Sequence, residues 1–242
     1  MRNEVTPMNQ NYGLIRRFQL EANYRGASLL IFAGAFVAGL AFVAGGVSIF
    51  PMGPRAAHMA NHILLMNAVA PALARAALVF GIVRAQSWAT GQVLAGAAAA
   101  QIALLWAWHA PSVFAFSSSH VVVHTIMPML LLGASLTFWI AILGETGRKR
   151  WRGIFGLLVT GKLSCLLGVL LLFAPRVLYS HDVLILGQAN LEQALSDQRL
   201  AGLLMLAACP ICYVLTGVTI AAHWLRELEA SATRPLYRTT SC

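Results

Sequence analysis

Six long apolar stretches dominate this chain, at residues 26–50, about 57–80, about 92–109, about 119–143, 154–174 and 198–224. Each is close to the roughly 20 residues a helix needs to cross a hydrocarbon layer about 30 Å thick. Backbone N–H and C=O groups find no water there, so only helices and closed barrels can span it. Barrel strands alternate in polarity and run only about ten residues. These stretches are unbroken and longer, which predicts an all-α polytopic transmembrane bundle of about six spans. Composition agrees: 59% of the 242 residues are hydrophobic and 10% charged, against roughly a quarter charged in a soluble domain. That balance excludes a cytosolic globular enzyme, a disordered chain and a free nucleic-acid binder. Four cysteines in a membrane chain do not indicate a disulfide framework.

The apolar stretches divide the chain into a polar N-terminal tail (1–25), one transmembrane helical domain (26–225) and a C-terminal tail (226–242). The first stretch is too long for a signal-peptide core of roughly 7–15 residues and reads as an uncleaved span. The net charge of +9 acts as a topology signal. With both termini on the cytoplasmic side, 14 of the 17 Lys and Arg residues fall inside, and only Arg55, Arg176 and Arg199 fall outside. Cytoplasmic segments accumulate Lys and Arg, so the expected orientation is N-in and C-in. Trp88, Trp139, Trp151 and Trp224 then lie near the inner interface, Trp106 and Trp108 near the outer.

In that topology the histidines gather in one layer. His58 and His62 stand at the outer end of the second span, His109 closes the third, and His120 and His124 open the fourth. His181 is in an outer loop, Asp197 starts the sixth span outside, and only His223 is inner. His58, His62 and Met66 run at i, i+4 and i+8 and share one helix face over about 12 Å. His120, His124 and Met127 form a second stripe. Imidazole suits copper, zinc and iron, whereas thioether selects Cu(I). The expected metal ligands are therefore His58, His62, Met66, His109, His120, His124 and Asp197, with copper favoured by the methionines. Asp197 is equally well read as a helix N-cap, with Ser196 competing for that place. Facing histidines in a helical bundle could also ligate a haem, and a buried polar network without metal is a third arrangement of the same residues.

Other features point to packing. Cys209-Pro210-Ile211-Cys212 lies in mid-span, where small cysteines beside a proline kink are ordinary, and Cys165 is similar. The basic run Arg148–Arg152 reads as a solvated positive-inside loop, and Lys162 snorkels to the inner interface. HExxH, P-loop and GxSxG patterns are absent, which removes metalloprotease, ATPase and serine hydrolase readings.

The histidine stretches resemble the multi-pass CtaG family, assembly factors of caa(3)-type cytochrome c oxidase. The matching segments begin with His58-Met59-Ala60-Asn61-His62-Ile63-Leu64-Leu65-Met66 and then Ala70-Pro71. Trp108-His109-Ala110-Pro111, His120 to His124, Phe138-Trp139 and Phe173-Ala174-Pro175 come next, and Asp197-Gln198-Arg199-Leu200-Ala201-Gly202 with Met205 completes the set. The resemblance implies a non-enzymatic protein of the bacterial plasma (inner) membrane that is needed for active cytochrome c oxidase. It implies a part in copper supply, with oxidase subunits, the lipid bilayer and a periplasmic copper donor as partners and no nucleic acid. Two features depart from the family pattern. Asn61 stands where Gln is more usual, and an additional N-terminal span common in the family is expected to be lacking.

Overall fold

The structure, a computed structural model, describes residues 52–179 and 191–233. The N-terminal tail, the first expected span, His181 and the end of the C-terminal tail lie outside the described residues. Among the described residues every regular element is helical, and five segments are long and apolar enough to cross a membrane. These are Pro54–Val79, Gly91–Trp108, Val122–Gly144, Gly147–Phe173 and Leu191–Glu229. They coincide with the second to sixth expected spans.

The first described span is built from α1 (Pro54–Leu64), a π-helical turn (Leu65–Val69) and α2 (Ala70–Val79). Pro71 comes directly after the π turn. A proline inside a helix removes one N–H and crowds the carbonyl four residues back. The chain answers by widening one turn, so that Ala70 N–H donates to the Leu65 carbonyl. After the single turn α3 (Ala85–Trp88), α4 (Gly91–Trp108) starts with the Thr90 hydroxyl accepting from Val93 N–H at 3.2 Å. It ends before Ala110-Pro111, because a residue preceding proline is pushed out of the helical region. Ala110 accordingly sits at φ −68°, ψ 130°.

A short helix absent from the sequence reading, α5 (Pro111–Ser119), comes between the third and fourth spans, and α6 (Val121–Gly144) begins only after an extended His120. A 3₁₀ turn (Gly147–Lys149) leads into α7 (Arg150–Phe173). The last described helix, α8 (Leu191–Thr233), has 43 residues and runs well past both ends of the expected sixth span.

The bundle is organised around α7 and α8, which have the most extensive contact in the structure, with α1 on the other side of α8. A Cβ at Gly202 would stand 2.7 Å from the Gly168 carbonyl and from Leu172 N, and one at Gly168 would stand 3.0 Å from the Gly202 carbonyl. Two facing glycines let the backbones approach, the usual way of packing helices where lipid gives no hydrophobic drive. α6 packs against α4 and α2, and its Phe138 and Trp139 are buried. Trp139 Nε1 donates to the Met66 carbonyl at 2.8 Å, and Gln101 Nε2 to the Tyr213 hydroxyl at 2.9 Å. These bonds join α6 to the π turn and α4 to α8 within the apolar core. Replacing Gly202 by Val forces α7 and α8 apart; the expected cost is about 1–3 kcal/mol, read as a lower melting temperature of the detergent-purified protein.

Candidate metal centre

Three imidazoles converge at one end of the bundle. His58, His62 and His109 each offer a ring nitrogen, and the three nitrogens lie within 4.8 Å of one another. His62 and His109 are buried and His58 is half-buried. The α1 pair meets because i, i+4 side chains share a face: His58 Nε2 and His62 Nε2 are 2.9 Å apart, with their rings nearly perpendicular. His109 arrives from the end of α4. Its ring centroid is 5.6 Å from that of His62 and 6.0 Å from that of His58.

His109 is held on both sides. Its Nδ1 donates to the Leu105 carbonyl at 2.7 Å, and its own carbonyl accepts from the Tyr179 hydroxyl at 3.2 Å. A carbonyl can only accept, so Nδ1 carries the proton and Nε2 presents a lone pair. That Nε2 is buried and has no hydrogen-bond partner among the described residues. Fixing one ring nitrogen on a carbonyl and freeing the other is the usual arrangement of a metal-binding histidine. Burial pushes the Tyr179 phenol up to about 12 against the opposing pull of the Arg55 cation, so the hydroxyl keeps the proton it donates.

The other expected ligands are placed differently. His124 is exposed, its ring stacked near His58 with centroids 6.2 Å apart. His120 is exposed at the N-cap of α6, where its Nδ1 donates to the Phe116 carbonyl at 2.9 Å and its ring stacks on Phe116. Of the expected second stripe, His124 thus comes alongside His58, whereas His120, extended at the N-cap, bonds back to Phe116. Met66 is buried within the π turn, and Met127 is buried on α6.

Asp197 is not the start of its own helix. α8 is already helical at Leu191, and Ser196 bonds back to the Gln193 carbonyl. The Asp197 carboxylate instead caps α1 from across the bundle: Oδ2 accepts from Arg55 N–H at 2.8 Å and Oδ1 from Ala56 N–H at 3.2 Å. The first turn of a helix leaves its N–H groups unpaired and carries partial positive charge, and a carboxylate satisfies both. A Cβ at Gly53 would collide with the carboxylate, so any larger residue there displaces the cap.

Sequence reasoning assigned no site role to Gly53, Tyr179 or Gln198, and it treated Arg55 only as an outer charge. The Arg55 guanidinium lies 4.6 Å from the centre of the Tyr179 ring and donates to the Tyr179 carbonyl at 3.3 Å. Gln198, fully buried, accepts from Leu178 N–H at 2.9 Å and donates to the Leu171 carbonyl at 3.3 Å. Together they tie the segment after α7 onto α8, which is how Tyr179 reaches His109. The one available signal was the polar pair Asp197-Gln198 inside an apolar helix.

Imidazole–metal distances of roughly 2 Å place two ligand nitrogens at most roughly 4 Å apart, so a contraction of under about 1 Å closes the triad on one ion. The adjoining cavity, bounded by Arg55, His58, His109, Phe114 and Tyr179, holds about 20 Å³. That is room for an ion or a water and far too little for a porphyrin.

The model of the family described as cytochrome c oxidase caa3 assembly factor matches residues 12–227 of this chain. No curated protein and no solved structure matches it. Asp197→Ala strips the cap from α1 and is expected to cost about 1–2 kcal/mol. Asp197→Asn, which keeps one acceptor oxygen, is expected to cost less, and thermal unfolding of the two variants in one detergent checks the order.

Proposed function

The chain belongs to the family of cytochrome c oxidase caa3 assembly factors, and on that premise we propose that it holds copper at the His58–His62–His109 cluster and passes it to a nascent oxidase subunit. The protein would work in the bacterial plasma membrane without catalysing a reaction, its histidine end facing outward as the Lys and Arg asymmetry requires. A periplasmic copper donor would load it. The observation that carries this reading is the convergence of three ring nitrogens within 4.8 Å, one of them buried and unpartnered. A buried nitrogen lone pair without a donor costs free energy, and a cation repays it.

Copper is favoured over harder cations because the donors are imidazoles and because buried Met59, with its soft thioether, lines the same small cavity as His58 and His109. A set of neutral donors without thiolate suits cargo that must be released. The exposed His124, stacked beside His58, is placed to meet an ion on its way in or out. The small cavity favours a single ion over the haem reading. A scaffold in which the same residues form a metal-free network is the remaining alternative, and the experiment separates the two.

The full-length protein is purified with reduced copper present, and its metal content is measured. Wild type is expected to retain copper, His62→Ala and His109→Ala to retain less than about a tenth as much, and His120→Ala to match wild type. Equal metal in all four would remove the site. Loss of oxidase co-purification in His62→Ala and His109→Ala at unchanged metal content would favour the scaffold.

A further inference from the structure

At the end of the bundle away from the histidines, α4 and α7 part around a groove of about 1000 Å³. One wall is α4, where Ala95, Ala98, Ala99 and Ala103 leave the space that larger side chains would fill. The other wall is α7, with Trp151 and Phe155 exposed along it. Towards the histidine end Trp106 Nε1 donates to the Leu163 carbonyl at 3.3 Å, joining α4 to α7 there.

Its opposite end is basic. Arg152 lines the mouth, its guanidinium in van der Waals range of a Cβ built on Gly91. Arg148 and Lys149 are exposed in the 3₁₀ turn just before it. The nearby acids cancel only part of this charge. Glu227 pairs with Arg150 at 2.9 Å and buried Glu145 faces Arg152 and Lys149, so with Arg148 the four cations of this segment meet two carboxylates and the mouth stays net positive.

We infer that this groove seats an anionic phospholipid, its acyl chain against the alanine wall of α4 and its phosphate against Arg152. Three observations converge on that occupant. The void is at the upper end of the roughly 300–1,000 Å³ typical of ligand pockets, and its walls are almost wholly apolar. Its basic mouth lies at the end that the charge asymmetry assigns to the cytoplasmic leaflet, and basic pockets between spans on that side recognise anionic headgroups. Trp151, at the rim, has the amphipathic ring that settles at headgroup depth. The site is independent of the histidine cluster, and its test does not involve metal.

Full-length protein in a neutral detergent is titrated with phosphatidylglycerol or phosphatidylcholine of matched chains, and bound lipid is counted by native mass spectrometry. Wild type is expected to bind phosphatidylglycerol at least about fivefold more tightly. Arg152→Gln is expected to bring the two lipids to near parity, and Ala99→Phe, which fills the groove at an exposed position, to weaken both. Arg226→Gln, an exposed cation on α8, is expected to change neither. Equal affinity of wild type for both lipids would overturn the proposal, as would an undiminished preference in monodisperse Arg152→Gln. A lipid-free dimer that Ala99→Phe dissociates would overturn it as well, by assigning the groove to a second copy.

Discussion

The histidine cluster depends on a carboxylate carried by a different helix. Asp197 reaches from α8 to the first turn of α1 and takes up two N–H groups that would otherwise be buried without partners. α1 carries His58 and His62, so the position and rotation of both rings depend on where that carboxylate sits. Charge-assisted hydrogen bonds to backbone N–H are short and strong, especially in a region water does not reach. The close glycine contact of α7 with α8 brings the Tyr179 segment to His109. One helix, α8, thereby registers imidazoles carried on two others.

The same economy appears deeper in the membrane. Trp139 bonds to a backbone carbonyl of the π turn, and Gln101 bonds to Tyr213. Polar groups at such depth are costly unless paired, so each pair admits few alternative packings. A π turn adds one residue to a helical circuit and rotates the downstream part of the helix. Here the rotation comes after His62 and before Pro71, so the α1 imidazoles are set by a regular helix while the proline is absorbed below them.

Much of this was legible in the residue order. Unbroken apolar length fixes spans, and five of the six expected spans coincide with helices, the first lying outside the described residues. The i, i+4 spacing of His58 and His62 correctly implied that they meet, because that geometry is local. Asp197 could not be placed from sequence, since capping rules look along one helix and its carboxylate serves another. Of the second stripe, His124 lies beside His58 while His120 turns back to Phe116: Pro111 starts a short helix, and apolar content alone cannot distinguish a turn at the membrane surface from the start of a span. Tyr179, Arg55 and Gln198 act through tertiary contacts and leave no periodicity to read.

The length of α8 has a mechanical meaning. At 1.5 Å per residue, the path along α8 from Asp197 through Pro210 to Glu227 is roughly 45 Å, further than the thickness of the hydrocarbon layer. One end holds the cap of α1, and the other is clasped to Arg150 by an ion pair. α8 therefore couples the seat of the helix that carries His58 and His62 to the start of α7 at the far end of the bundle, so that a shift of one end is felt at the other.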